Sequence, residues 1–359
     1  MVATVTDKRP APAPGSPDDH FRGLMYGAAL GAAVALPCEG RDAHILRDNH
    51  DHARKSAGAV DDLKYPREGS KGPVRGYPAN DWTGDFDQAV LAMWALRTKG
   101  PGPPFDTGIA TLIMKWAAHG LSDLGDSKPV GIDSVTFRVV GHPDFLTDPW
   151  KAARETVGGG QLGSAPLVRA LPLAALPLRA ILDTVPRAAA VTHSDPRVTA
   201  AALFEILLLA PLVAGQDPDP EHVRYPAQKA MQAIVDVDQR KAFRETLDHS
   251  SALEEVGLEY PDNAGHVTKT VRVVLWAFRQ LLKTPKPRRG PEFFRAVIEE
   301  VALCGRNATE HAAIAGAVLG AALGYTGLPP EWVEGLPDAA WLEGEISDYF
   351  AAITAPPAQ

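Results

Sequence analysis

The sequence predicts an all-α fold, and three observations support this prediction. Apolar residues recur at helical spacing along most of the 359 residues, whereas the strict alternation of half-buried strands is scarce. Clusters of proline and glycine separate the periodic segments, as is typical of loops between helices. Several periodic segments are rich in glycine and alanine, which let helix axes approach closely.

The helical periodicity defines the elements in order along the chain. We predict helices over residues 22–36, 86–98, 106–120, 149–156, 165–182, 184–191, 196–214, 222–247, 265–283, 291–304 and 308–325. No repeat and no long linker divides these helices, so residues 21–350 are predicted to form one domain. Residues 1–20 are rich in proline, alanine and charge, which predicts a disordered arm and not a signal peptide.

The longest segment without helical periodicity covers residues 41–80, and it is charged and rich in glycine and proline. Structureless loops of this length are uncommon in compact domains and usually have a function or are mobile. A lid or site-lining role and a plain insertion are equally supported by the sequence of this segment.

Composition excludes several classes of protein. A net charge of −8 gives no indication of binding to a nucleic-acid duplex. Two cysteines are too few for a disulfide scaffold or a zinc cluster, and a reducing cytoplasm is the simplest location for them. The apolar stretch at residues 24–36 is too short to span a bilayer, so we expect a buried helix and no membrane partner.

Residues 82–91 are the most informative stretch, because Asp85 and Asp87 lie at the beginning of the helix predicted from residue 86. Carboxylates in a first helical turn are favoured by the helix dipole and lie beside free backbone N–H groups. Such a position can hold a metal ion or a polar substrate. Taken alone, the same pattern also fits ordinary acidic capping of a helix.

Four further segments give this motif its context. Residues 36–40 (Leu-Pro-Cys-Glu-Gly) end the first helix, and residues 163–169 (Gly-Ser-Ala-Pro-Leu-Val-Arg) open a later one. Residues 191–197 (Val-Thr-His-Ser-Asp-Pro-Arg) precede a strongly apolar helix, and residues 304–311 lead into the last predicted helix. In this order and spacing, the chain resembles the ADP-ribosylglycohydrolase family over nearly its whole length.

The resemblance implies an orthogonally packed helical bundle. In active relatives a cleft binds ADP-ribose over two magnesium ions, and the bond from ribose C1″ to a protein side chain or small molecule is hydrolysed. Magnesium prefers about six oxygen ligands, which carboxylates and threonine hydroxyls at helix starts can supply. The resemblance also implies the binding partner, which is an ADP-ribose-like or nucleotide-derived small molecule, or an ADP-ribosylated protein.

The chain departs from the family pattern at the expected metal ligands. Gly84 replaces the middle carboxylate of the family's Thr-Asp-Asp triplet, and Asn307 and Thr309 replace two further aspartates. A two-metal site depends on several carboxylates to offset the dehydration of about four positive charges. The sequence therefore argues against a binuclear magnesium centre.

Two alternatives remain for the cation position. Thr83, Asp85 and Glu310 could hold one weakly bound magnesium ion. A metal-free pocket in which Arg306 or His311 takes the place of the cation is supported equally well.

The resemblance assigns further roles residue by residue. Glu39 and Asp85 are the catalytic candidates, and the substrate-binding candidates are Trp82, Asp87, Gly163, Ser164, His193 and Asn307. For Arg169, a structural role with a buried carboxylate partner is favoured over phosphate binding.

Three functions are consistent with this sequence. The first is a hydrolase of the family type with an altered or absent metal centre. The second is a metal-independent enzyme that acts on another nucleotide- or NAD-derived small molecule and uses Glu39 and Asp85 as an acid/base pair. The third is a non-catalytic protein that binds ADP-ribose in the same cleft.

Overall fold

The computed structural model describes residues 12–56, 63–68, 74, 77–129, 131–248, 252–260 and 265–355. These residues form sixteen α-helices and several short 3-10 turns, with no β-strand among them. The helices are α1 (Pro17–Ala35), α2 (Ala43–Lys55), α3 (Gly84–Lys99), α4 (Pro104–His119), α5 (Ser134–Val140), α6 (Pro149–Val157), α7 (Ala165–Ala170), α8 (Leu178–Ala190), α9 (Pro196–Val213), α10 (Arg224–Ala233), α11 (Val237–Asp248), α12 (Val267–Lys283), α13 (Pro291–Ala302), α14 (Ala308–Leu323), α15 (Pro330–Glu334) and α16 (Ala339–Thr354). The predicted all-α fold is confirmed.

The centre of the bundle is the pair α1 and α14, which pack backbone against backbone. A Cβ atom at Gly27 would overlap the carbonyl group of Gly316, and one at Gly23 would overlap that of Gly320. Only glycine permits such a close approach of two helix axes. The segments rich in glycine and alanine thus form the tightest helix contact. This contact sets the positions of the C-terminus of α1 and the N-terminus of α14, which both lie near the site described below.

Two helical segments, Pro17–Cys38 and Pro196–Val213, have the length and hydropathy of a membrane span. In the first, the whole apolar window is buried inside the bundle, and in the second 72% of it is buried. Burial of this kind is also found in the core helices of globular domains, where an all-round apolar helix is enclosed by its neighbours.

The segment at residues 41–80 is less irregular than predicted, because α2 occupies its first part. Only Ala43, Leu46 and His50 of this helix are buried, so its apolar periodicity is too weak to be recognised in the sequence. Residues 57–62, 69–73 and 75–76 of this segment lie outside the described residues.

Other helix boundaries differ from the prediction for local reasons. The helix predicted over residues 222–247 is two helices, because Asp236 caps the second through a hydrogen bond from Gln239 N to its Oδ1 atom (2.8 Å). The helix predicted over residues 165–182 ends at Ala170 and gives way to a 3-10 turn that contains Pro172. Helices α5, α15 and α16 were not predicted.

The last residues of the disordered arm predicted over residues 1–20 are folded. Residues 1–11 lie outside the described residues, but α1 already begins at Pro17 with Ser16 as its N-cap. Asp19 is buried and accepts a hydrogen bond from Thr326 N (3.0 Å), so these residues belong to the packed domain.

Candidate active site

A cavity of about 350 Å³ lies where the N-termini of α3, α5, α7 and α14 meet the 3-10 turn that follows α1. Its walls contain seven of the residues that the sequence singled out as site candidates. The lining residues are Leu36, Glu39, Tyr77, Thr83, Asp85, Gly131, Ile132, Asp133, Ser134, Val135, Gly163, Ser164, Ala165, Gly265, Asn307, Thr309 and Glu310. We call this space the main cavity.

The α3 wall of the main cavity presents oxygen atoms that have no partner. Thr83 is the N-cap of α3 through its backbone, since Phe86 N donates to Thr83 O (2.9 Å), and its buried Oγ1 atom has no described partner. Asp85, in the first turn, has no described hydrogen-bond donor either. Burial raises the pKa of the Asp85 carboxyl well above its usual range, and the nearby Glu310 and Asp133 carboxylates add to this effect.

The wall formed by Asn307, Thr309 and Glu310 at the start of α14 and by Glu39, here called the α14 wall, is closed by hydrogen bonds among these residues. Asn307 Nδ2 donates to Glu310 Oε2 (2.6 Å), and both the backbone N and the Oγ1 atom of Thr309 donate to Glu39 Oε2 (3.0 Å each). Two of the residues that replace the family's aspartates, Asn307 and Thr309, therefore act as hydrogen-bond donors to the remaining acids. Glu39 is consequently held in one orientation.

Both acids of this wall have raised pKa values. Burial raises the pKa of Glu310 to about 7, although the nearby Ser164 hydroxyl and the hydrogen bond from Asn307 oppose the shift. Burial also raises the pKa of Glu39, against the two hydrogen bonds from Thr309. The Oε1 atom of Glu310 is buried and has no described partner.

The third wall is formed by Gly163 and Ser164 before α7. The hydroxyl of Ser164 donates to the carbonyl of Gly265 (3.2 Å), which ties this wall to the segment before α12. Gly163 is required here, because a Cβ atom at this residue would lie 2.7 Å from Nε2 of His193.

Asp133 is a residue of this cavity that the sequence analysis missed. Its Oδ1 atom caps α5 by accepting from Val135 N (3.0 Å) and Thr136 N (2.8 Å), while its Oδ2 atom is buried without a described partner. The one signal in the sequence is an aspartate directly before a short apolar segment, which is also the pattern of any N-cap.

Three predicted substrate-binding residues do not line the main cavity. Asp87 accepts one hydrogen bond from the indole of Trp82 and one from that of Trp116 (2.9 Å each), so its carboxylate braces two tryptophans. Trp82 is only 3% exposed and packs edge-on against Phe86. His193 is fully buried behind Gly163, and burial lowers its pKa to about 4.

Arg169 has the predicted structural role but a different partner. Its guanidinium donates to the amide oxygen Oε1 of Gln88 (2.5 and 3.0 Å) and not to a carboxylate. Further hydrogen bonds reach Ala188 O and Thr192 Oγ1 (2.9 Å each), so this buried arginine joins three helices. It does not line the main cavity.

The predicted alternative in which Arg306 or His311 replaces the cation is wrong. The guanidinium of Arg306 is bonded to the Asp42 carboxylate and to the carbonyl of Glu259, outside the main cavity. His311 is fully buried, does not line the cavity, and its pKa is lowered to about 3 by burial, so it is neutral.

The donor atoms of the main cavity fit a hard divalent cation. Thr83 Oγ1, Asp133 Oδ2 and Glu310 Oε1 are buried oxygen atoms without a described partner, and Asp85 adds a carboxylate. No lysine or arginine is among the described lining residues, so nothing in these walls neutralises the acids. Buried charges of one sign are costly unless a counter-ion is present, and oxygen ligands are those preferred by magnesium.

A second group of metal-ligand types occurs in the loop and helix around α6. Ligand atoms of His142, Asp144 and Glu155 lie within 4.8 Å of one another. Asp144 forms an ion pair with Lys151 (2.6 Å), and Nε2 of His142 lies 3.3 Å from Glu155, so these side chains already contact partners near the surface.

Comparison with known proteins agrees with this architecture. The ADP-ribosylglycohydrolase family model matches residues 13–358. Among the solved structures that resemble the chain is one described as an ADP-ribosylglycohydrolase-related protein complex, with a TM-score of 0.63 and 19% identity over 94% of this chain and 99% of that one. No curated protein matches. The family typically uses a divalent metal ion. The chain belongs to the ADP-ribosylglycohydrolase family.

Proposed function

We propose that the protein is a hydrolase that cleaves the glycosidic bond at C1″ of an ADP-ribosylated protein or small molecule, with the help of one divalent cation. The observation that supports this proposal is the arrangement of the main cavity. Two retained acids, Glu39 and Asp85, line the same cavity as three buried oxygen atoms that have no partner among the described residues. Family membership supports a glycosidase-like hydrolase in general, and the cavity supports the finer assignment.

Glu39 is the residue best placed to transfer a proton. Thr309 fixes its orientation through two hydrogen bonds, so one carboxyl oxygen is held and the other remains available. Because burial raises its pKa, the proton is held more strongly than in solution, which favours a role in general acid/base catalysis.

Asp85 has a complementary role as a negative charge in the cavity. Breaking a glycosidic bond creates positive charge at C1″ and the ring oxygen, and a nearby carboxylate stabilises this charge. Thr83, Asp85, Asp133 and Glu310 would hold the cation, which when bound orients ribose hydroxyls and activates water.

One cation is proposed, and not two, because of the α14 wall. The side chains of Asn307 and Thr309 carry no charge and already donate to Glu310 and Glu39. A second ion there would lose both aspartates that the family pattern supplies and would have to break these hydrogen bonds. The free energy of dehydrating a second divalent ion would then not be recovered.

The test is an assay with ADP-ribosyl arginine and serine peptides, O-acetyl-ADP-ribose, NAD and simple nucleosides, each with and without magnesium. Replacing Glu39→Gln or Asp85→Asn should lower kcat on the order of a hundredfold with little change in folding. Asp217→Asn is the matched control, because this exposed carboxylate pairs with Lys286, does not line the main cavity and should leave kcat unchanged.

Other outcomes would favour other functions. Activity that is equal with and without magnesium would support a metal-independent enzyme. Binding of ADP-ribose without turnover of any substrate would support a non-catalytic protein. An active wild type that tolerates both substitutions would contradict the assignment of Glu39 and Asp85.

A further inference from the structure

A second cavity lies beside the main cavity and has nearly the same size. It encloses about 300 Å³, compared with about 350 Å³ for the main cavity. Each volume alone is at the lower end of the roughly 300–1,000 Å³ that is typical of small-molecule sites. The lining residues of this second cavity are Tyr77, Pro78, Asp81, Trp82, Gly84, Asp87, Leu124, Gly125, Asp126, Ser127, Lys128 and Asp338.

Tyr77 is the one residue that lines both cavities among the residues described for their walls. Thr83 and Asp85 face the main cavity, whereas Gly84 between them faces the second cavity. The two cavities therefore lie on opposite sides of the first turn of α3 and meet at the phenol ring of Tyr77.

The phenol of Tyr77 reaches the opposite wall. Its hydroxyl is so close to Gly131 that a Cβ atom at that residue would overlap it, and the φ of Gly131 is +81°. A side chain at residue 131 is thus disfavoured by both space and backbone conformation. Tyr77 consequently extends from the α3 side to the segment that precedes α5, across the boundary of the two cavities.

The surroundings of Tyr77 are acidic on both sides. Burial raises the pKa of its hydroxyl, and the carboxylates of Asp85 and Glu39 on one side and of Asp87 and Asp81 on the other raise it further. The phenol is therefore neutral, and no hydrogen bond from its hydroxyl to a described residue is present. Because the ring is neutral and its hydroxyl has no described hydrogen-bond partner, Tyr77 affects the two cavities through the volume that its side chain occupies.

We propose that Tyr77 determines leaving-group specificity by separating the main cavity from the second cavity. This proposal rests on the proposed function. The ring confines the leaving group of the natural substrate to the main cavity, so small leaving groups are preferred. Its removal joins the cavities and admits a longer, basic leaving group, because four aspartates and one lysine line the second cavity.

The experiment compares kcat/KM for O-acetyl-ADP-ribose, which has a small leaving group, with kcat/KM for an ADP-ribosyl arginine peptide, which has a long basic one. Tyr77→Ala should raise the ratio of peptide to acetyl ester by about tenfold or more, since one steric barrier of this size is worth at least that factor. Tyr77→Phe keeps the ring and should leave the ratio within twofold. Tyr225→Ala, on α10, is the matched control and should also leave it unchanged.

Suppose that the wild type hydrolyses these substrates and that the ratio in Tyr77→Ala stays within twofold of the wild-type ratio. This result would overturn the role of Tyr77 and leave the proposed function intact. Tyr77→Leu is a second variant in case the alanine variant does not fold. If the wild type hydrolyses neither of these two substrates nor any other substrate of the assay described above, the proposed function fails.

In that case, Tyr77 is tested by calorimetric binding of ADP-ribose and of the peptide. If Tyr77→Ala binds the peptide more tightly than the wild type does but binds ADP-ribose no more tightly, the result would support the proposal that Tyr77 separates the two cavities. Equal affinity changes for both ligands, or no binding by any variant, would overturn it.

Discussion

The two helix starts that face each other across the main cavity have opposite chemistry. At the start of α3, the hydroxyl of Thr83 has no described partner and the carboxylate of Asp85 accepts no hydrogen bond from a described residue. At the start of α14, Asn307 and Thr309 donate to the adjacent acids Glu310 and Glu39. The start of α3 presents oxygen atoms without a described partner, which could bind a cation. At the start of α14, uncharged side chains form hydrogen bonds where the family pattern has carboxylates.

This difference shows how a metal centre can be reduced without collapse of its cavity. Removing carboxylates would normally leave their neighbours unpaired, and unpaired buried polar groups are costly. Here the substituted side chains satisfy those neighbours, so the α14 wall is stable without an ion. The α3 wall has no such compensation among the described residues, and the proposed cation would balance its charge.

Substitutions at these two helix starts should change metal affinity to very different extents. Asp85→Asn should weaken binding of manganese about a hundredfold or more, because a charged ligand becomes neutral. Thr309→Val, which removes only the hydroxyl donor to Glu39, should change the affinity by less than about threefold. Isothermal titration calorimetry measures both, and equal losses in the two variants would remove the distinction between the helix starts.

The next effect is a dependence of metal affinity on pH. The pKa of Glu310 is about 7, above that of an ordinary glutamate, so its protonated form predominates below pH 7. Since a cation binds the deprotonated carboxylate, affinity should rise with pH by up to about tenfold per unit below pH 7 and level off above it.

The matched variant for this dependence is Glu310→Gln, which cannot titrate at this position. It should bind more weakly at high pH and show a flatter profile between pH 5.5 and 8. A wild-type affinity that does not change over this interval would show that Glu310 is not a ligand.

The smallest effect concerns a buried acid behind the α14 wall. Glu205 on α9 is fully buried, neither of its carboxyl oxygens has a described partner, and its pKa is raised well above the usual value by burial and by the charge of Glu310. Glu205→Leu should therefore raise the free energy of unfolding at pH 7 by about 1–3 kcal/mol.

Urea denaturation measures this change. Glu205→Gln is the control and should gain less, because its amide is still buried without a partner. A loss of stability in the leucine variant would mean that Glu205 has a partner or a role that its surroundings do not indicate.

Much of the fold could be predicted from the sequence because its helices are apolar and separated by proline and glycine. The helix that the periodicity missed inside residues 41–80, α2, buries only three residues and so carries little pattern. The end of α7 at Ala170 depends on the local 3-10 geometry at Pro172, which periodicity does not specify.

The site could be predicted mainly where its residues lie at the ends of apolar helices. Asp85 and Glu310 stand at the beginning of apolar helices, and the structure brings both to one cavity. Tyr77 lies in a segment without periodicity, and Asp133 precedes a helix of seven residues, so neither position was visible. The side chain of Arg306 is oriented away from the main cavity by its backbone φ of 57° and its ion pair with Asp42. Both are properties of the folded chain that the sequence does not show.

The number of divalent cations held by the main cavity can be counted by calorimetric titration of manganese into the metal-free protein at pH 8. We predict one site in the wild type, and two in the double variant with Asn307→Asp and Thr309→Asp, which restores the missing carboxylates of the α14 wall. Two sites in the wild type, or no site in a correctly folded wild type, would show that the cavity does not hold one cation.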